Sequence, residues 1–312
     1  MSGAKPFSRT SWAAVITVFA FTGSPSTGVA QDEPVRTVDL EMYLDLESVS
    51  DPQIAPDGSE IVYTRGWVDK MNDRRESSIW IMNADGSKNR FLVDGSGPIW
   101  SPDGTRIAYT AAGDPEGTQI FVRWMDDEGA TSQVTRLESS PGGIRWSPNG
   151  EHLSFSMNVD AEPAFMVTPP GRPDGATWVE SPRVVTRADY RQDRVGFVDG
   201  AWRHLFVVPA EGGTARQLTD GDWNHSTGEW TPDGAELVFS SLRTEDAELA
   251  WRQSEVYTVE IASGGIRQLT SRNGQDFAPL PSPRGDLIAY RGSDWHDDTY
   301  RNAGIYVMER DG

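Results

Sequence analysis

The chain of 312 residues carries 47 acidic against 28 basic side chains, a net charge of −19 at pH 7, and no cysteine. That acidity argues against nucleic-acid backbone or anionic membrane as partners, since both require basic surface. Lack of cysteine removes disulfides, thiol catalysis and thiolate metal sites.

At the start of the chain, Lys5 and Arg9 precede the apolar run Trp12–Phe21, and Gly28-Val29-Ala30 supplies small residues before Gln31. This is the anatomy of a secretory signal peptide, and the run is too short for a bilayer span of about 20 residues. Residues 1–30 are therefore expected to be a leader cleaved near Ala30, with residues 31–50 a lead-in segment. The expected location is periplasmic or extracellular, with no membrane contact after cleavage.

From there a phrase recurs. Pro56-Asp57-Gly58 returns as Pro102-Asp103-Gly104, Pro148-Asn149-Gly150 and Pro232-Asp233-Gly234, and in altered form as Pro283-Arg284-Gly285. Proline pre-sets φ, Asp or Asn bonds back to the backbone, and glycine closes the turn with positive φ. Short apolar runs such as Ile107-Ala108-Tyr109 flank each turn and read as strands. A second hairpin follows each phrase, for example Leu205–Val208 with Arg216–Thr219. Two hairpins make four antiparallel strands, one blade of a β-propeller.

The turn prolines lie 46, 46, 84 and 51 residues apart, against a usual blade length of about 40–50. The long gap is assigned to an insertion at about 157–200 in the third blade, because the stretch Pro163–Pro182 is rich in proline and glycine. The fifth repeat reaches Ile305–Met308 and a turn at Asp311-Gly312. The expectation is an all-β propeller over residues 51–312, with about five blades visible of seven and the last cut short, in a chain that is a piece of something longer.

Leu44–Ile54 before the first turn, the Tyr190–Asp193 stretch, and His204–Pro209 running to Gly212–Gly221 together resemble the propeller of the prolyl oligopeptidase family of serine peptidases, in its acylaminoacyl-peptidase or dipeptidyl-aminopeptidase branch. The turn phrase by itself is shared with TolB-like periplasmic propellers, which serve as protein-binding modules without an enzyme domain. The family resemblance implies a seven-bladed propeller that gates access of oligopeptides to a following α/β-hydrolase domain with a Ser-Asp-His triad. No Gly-x-Ser-x-Gly elbow occurs in this sequence. No catalytic residue is carried over, and neither cofactor nor metal is expected. Peptide substrates are expected only through the parent enzyme and its own hydrolase domain.

The remaining candidates are sparse. His152 and His204 read as structural residues at strand starts, and His225-Ser226 as loop neighbours that rarely reach triad geometry. Trp295-His296-Asp297-Asp298 has metal-ligand chemistry without the spacing of a calcium loop. Glu245, Asp246 and Glu248 are the substrate-binding candidates, because acidic propeller residues hold the substrate's amino terminus in dipeptidyl-peptidase relatives. Their stretch does not match that family's double-glutamate motif. The plainer expectation is a charged surface helix with Glu248 paired to Arg252. Trp100, Trp146 and Trp230 are expected to pack between blades.

Overall fold

The structure, a computed structural model, describes residues 37–161, 170–179, 184–185, 187–198, 200–250, 252–298 and 302–312. The expected leader and half of the Pro/Gly-rich stretch Pro163–Pro182 lie outside the described residues. The chain divides into two units, Met1–Tyr43 and Leu44–Gly312. One helical turn, α1 (Leu40–Leu44), begins in the first unit, where Asp39 Oδ1 caps the Met42 N–H at 2.7 Å.

The second unit is all-β. Its first sheet is β1 (Ser48–Ile54), β2 (Glu60–Asp69), β3 (Arg74–Asn83) and β4 (Arg90–Asp94). The first three residues of this strand thus fall inside the segment read as lead-in. The second sheet is β5 (Ser96–Trp100), β6 (Arg106–Gly113), β7 (Gly117–Trp124) and β8 (Thr131–Gln133). The third begins with β9 (Gly142–Trp146) and β10 (His152–Asp160). The chain then departs, forms the hairpin β11 (Arg191–Gln192)–β12 (Gly196–Phe197), and returns as β13 (Ala201–Pro209) and β14 (Arg216–Gln217). β10 and β13 pair from His152↔Pro209 to Asp160↔Ala201, so the excursion leaves from one hairpin end.

The fourth sheet is β15 (Glu229–Trp230), β16 (Glu236–Ser241), β17 (Glu255–Glu260) and β18 (Ile266–Gln268). Among the described residues the fifth has three strands: β19 (Gly274–Pro281), β20 (Leu287–Asp294) and β21 (Gly304–Glu309).

Each phrase forms the turn its residues dictate. The N–H groups of Gly58, Gly104, Gly150, Gly234 and Gly285 bond the carbonyls three residues earlier at 2.8–2.9 Å. The glycines sit at φ +69° to +76°, where a Cβ is strained. In three copies the hydroxyl two residues before the Asp or Asn donates to its side-chain oxygen, as Ser101 does to Asp103 at 2.5 Å. The fifth copy has arginine at that position, and Ser282 donates instead to Asp286 at 2.8 Å.

The same phrases also join neighbouring sheets. The proline of each lies on the glycine of the next, so that a Cβ on Gly104 would stand 3.4 Å from Pro56, and one on Gly285 3.4 Å from Pro232. The indole N–H groups of Trp100, Trp146 and Trp230 donate to Gln53, Ile99 and Arg145 carbonyls in the preceding sheet at 3.2–3.4 Å. The tryptophans therefore pack and bond between sheets.

Hydrophobic cores fill the spaces between consecutive sheets. Val62, Ile79 and Ile81 meet Ile107 and Tyr109 between the first two. Ile120 and Val122 meet Leu153 and Phe155 between the second and third. In β16, Leu237 and Phe239 face the third sheet while Val238 faces the fifth, as period-two alternation requires. Cross-strand aromatic pairs recur at equivalent positions: Tyr109–Phe121, Phe155–Phe206, Phe239–Tyr257 and Tyr290–Tyr306, with centroids 5.4–5.8 Å apart.

Candidate functional site

Because each phrase links first to second strand at one end of its sheet, the second-to-third-strand loops lie at the opposite end. There the described parts of the segment between β10 and β13 and of the loops 242–254 and 295–303 carry the residues with chemistry.

Beneath those loops runs a buried polar layer built from a repeated threonine. Thr135 Oγ1 accepts the Ile120 N–H, Thr219 that of Leu205, and Thr270 that of Val256, at 2.9–3.0 Å. Each hydroxyl also meets the side chain of the residue just before that N–H: Gln119 at 3.0 Å, His204 at 3.3 Å and Glu255 at 2.5 Å. Two further residues occupy the seams between sheets. The His225 N–H bonds the Arg203 carbonyl at 3.0 Å, and the Asp276 N–H bonds the Ser254 carbonyl at 2.8 Å.

His225 lies in the β14–β15 connection, as an isolated bridge to Ser241, and is fully buried. Its Nδ1 lies 2.9 Å from the Arg203 carbonyl, and its Nε2 lies 2.8 Å from Arg243 Nη1. A nitrogen facing a guanidinium must accept, so the ring is neutral with its proton on Nδ1. Burial pushes its pKa down to about 4, and burial also lowers that of His204, whose ring lies 5.2 Å away. Ser226 Oγ accepts the Ser240 N–H and donates to the Thr227 carbonyl, so His225 and Ser226 form no catalytic pair. One seam further on, Asp276 is 1 % exposed, with Arg272 Nε 3.0 Å from its Oδ1. Burial raises the pKa values of both Asp276 and Glu255.

The acidic stretch is no helix. It is a run of turns in which the Leu249 and Ala250 N–H groups bond the Asp246 carbonyl at 2.9 and 3.1 Å. Serial turns leave Glu248 and Arg252 without the helical spacing that would pair them. Glu248 instead accepts the Ala188 N–H at 2.6 Å and lies 3.5 Å from Arg187. Arg252 donates to the carbonyls of His296 and Asp297 at 3.3 and 3.2 Å. Glu245 and Asp246 are exposed. Among the described residues, no group of three His, Asp or Glu side chains converges as metal ligands would, Trp295–Asp298 included.

At the phrase end, the first strands of sheets one to three border a groove of ≈ 560 Å³ whose lining includes Ile54, Trp100, Arg145 and Trp146. The polar layer escaped sequence reading because its residues differ in chemistry from sheet to sheet. Its legible signal was the repeated Gln-Val/Leu-Thr at Gln133–Thr135, Gln217–Thr219 and Gln268–Thr270.

A family model described as "Dipeptidyl peptidase IV (DPP IV) N-terminal region" matches residues 172–295. The uncharacterized peptidase YuxL of Bacillus subtilis is 29% identical over 217 residues, covering 67% of this chain and 32% of that protein. Dipeptidyl-peptidase 5 of Porphyromonas endodontalis is 23% identical over 288 residues, covering 86% of this chain and 40% of that protein. Among solved structures, Pyrococcus horikoshii acylaminoacyl peptidase superposes with a TM-score of 0.64 at 19% identity, over 85% of this chain and 38% of that one. That likeness speaks for the fold. The chain spans about a third to two fifths of the length of the relatives it matches. The resemblance to the N-terminal propeller of prolyl oligopeptidase-family peptidases therefore stands.

Proposed function

We propose that this chain is the non-catalytic, substrate-gating propeller of an exported serine peptidase that hydrolyses oligopeptides, with the cutting groups on a separate α/β-hydrolase domain. In this reading the five sheets are blades of a seven-bladed ring, residues 161–200 are an insertion in the third blade, and residues 1–30 are the cleaved leader. The observation that carries the reading is the stack of antiparallel four-stranded sheets in a chain whose relatives are peptidases and dipeptidyl-peptidases. It is supported by the chemistry of the loop end. There His225 is committed to Arg203 and Arg243, and Ser226 to backbone, so neither is available as base or nucleophile.

Glu245 and Asp246 are the carboxylates we assign to a peptide's amino terminus; Glu248 is engaged by Arg187 and Ala188. Sequencing the gene beyond codon 312 tests the reading. A strand-turn-helix with Gly-x-Ser-x-Gly supports it. A stop codon after one or two more blades overturns it in favour of a TolB-like binding module. Cleavage of a chromogenic peptide by the isolated 312-residue chain overturns the claim that the chemistry lies elsewhere.

A further inference from the structure

We infer that Glu248 and Arg252 are positioning residues that lock the loops of the third, fourth and fifth sheets into one ledge, and that this ledge sets the length of peptide admitted at that end. The second clause rests on the peptidase reading; the first does not.

The loop 242–254 meets both neighbouring loops through charged side chains, and at its end Ser254 bridges to the fifth sheet through backbone bonds with Gly274 and Asp276. On one side Glu248 Oε2 accepts the Ala188 N–H at 2.6 Å, and its Oε1 lies 3.5 Å from Arg187 Nε, an ion pair without hydrogen-bond alignment. Arg187 itself lies over Trp202 of β13, 3.9 Å from the ring centroid. That stack fixes the far side of the contact to the third sheet's own strand, and a desolvated guanidinium over indole is among the stronger cation–π geometries. On the other side Arg252 Nη1 donates to the His296 and Asp297 carbonyls and lies over Trp295 at 5.9 Å.

The loop is anchored between these arms. Arg243 sits 4.6 Å over Trp223 and 2.8 Å from His225 Nε2, and Trp223 donates to the Thr244 carbonyl at 3.0 Å. Turn bonds to Asp246 and from Gln253 to the Ala250 carbonyl keep the segment compact between its arms. These two charged contacts therefore add to the Ser254 bridge in coupling the described parts of the three loops. Opening the ledge requires breaking a charge-assisted bond on one side or the other.

Hydrogen exchange on the 312-residue chain tests the lock. Glu248→Ala should speed amide exchange in residues 187–198 about tenfold, the loss of one charged hydrogen bond. Arg252→Ala should do the same in residues 295–298. Strand amides of β13 and β16 should keep their protection in both variants, which certifies that each still folds. Glu248→Gln, which retains an acceptor for Ala188, should give a smaller change than Glu248→Ala. Unchanged exchange in 187–198 and 295–298 overturns the lock.

For selection, the gene product with peptidase activity is assayed with a short and a long peptide bearing the same cleavage site. Arg252→Ala should raise the long-to-short ratio of kcat/KM severalfold. Loosened loops with an unchanged ratio overturn the role in selection. A gene product with no peptidase activity overturns both the functional reading and this role, while exchange still decides the lock.

Discussion

Acidification should loosen the seam between the third and fourth sheets at His225. The ring is fully buried, donates from Nδ1 to the Arg203 carbonyl, and turns Nε2 to Arg243. A proton on Nε2 would meet the guanidinium at 2.8 Å with no acceptor left between them. Its pKa is depressed from 6.5 to about 4, so the unfolded chain binds the proton more readily than the folded one. Stability from this group is complete above 6.5 and is lost as pH falls through the folded value near 4. At 1.36 kcal/mol per unit, the loss is about 2 kcal/mol between pH 7 and 5 and about 3 kcal/mol by pH 4.

His204 titrates in the same direction, whereas the raised carboxyls of Glu255 and Asp276 favour the fold on the acid side. The raw pH curve is thus a composite, and the non-titrating His225→Gln variant isolates the one group. Urea unfolding of both proteins at pH 7 and pH 5 should show the gap between them narrowing by about 2 kcal/mol. A gap that stays constant to within about 0.5 kcal/mol would refute the neutral, arginine-facing imidazole.

Further outcomes follow from the turns and seams. Trp146→Phe removes the donor to the Ile99 carbonyl and should cost about 1–2 kcal/mol by urea denaturation, including the lost indole packing. Gly58→Ala, at φ +76° with nothing within 4 Å, should cost about 1 kcal/mol. Gly95→Ala would place a Cβ 2.6 Å from the Thr110 carbonyl oxygen at φ +139°, and should cost about 3 kcal/mol or more. The Asp233 carboxyl, held at about 2 by hydrogen bonding to Arg310, should titrate well below its neighbours by NMR. Its contribution to stability should persist above the ordinary carboxylate range and vanish as pH falls through that value, and Arg310→Gln should return the pKa toward normal.

The blade grammar was legible because its causes are local. Proline, an acid or amide, and glycine at successive positions determine a turn whatever surrounds them, and alternating apolar residues determine the strands on either side. The tryptophans could be assigned to the seams on size alone. What no local rule contains is the second duty of the phrase, in which Pro56 meets Gly104 and the Trp146 indole finds Ile99. Those partners lie roughly one repeat apart, and the stacking of sheets brings them together.

The same reason explains the readings that changed. His225 lies in a connection, as its polar neighbours suggest, yet it is buried because His204 of the third sheet and Phe239 of the fourth pack against it. Glu248 and Arg252 had helical spacing, but Arg187 between β10 and β13 and the carbonyls of loop 295–298 offered better partners than a solvent-exposed pair gives. Turns and strands were therefore determined within the sequence, while the seams, and the chemistry concentrated at their loop end, were decided only by which sheet packs on which.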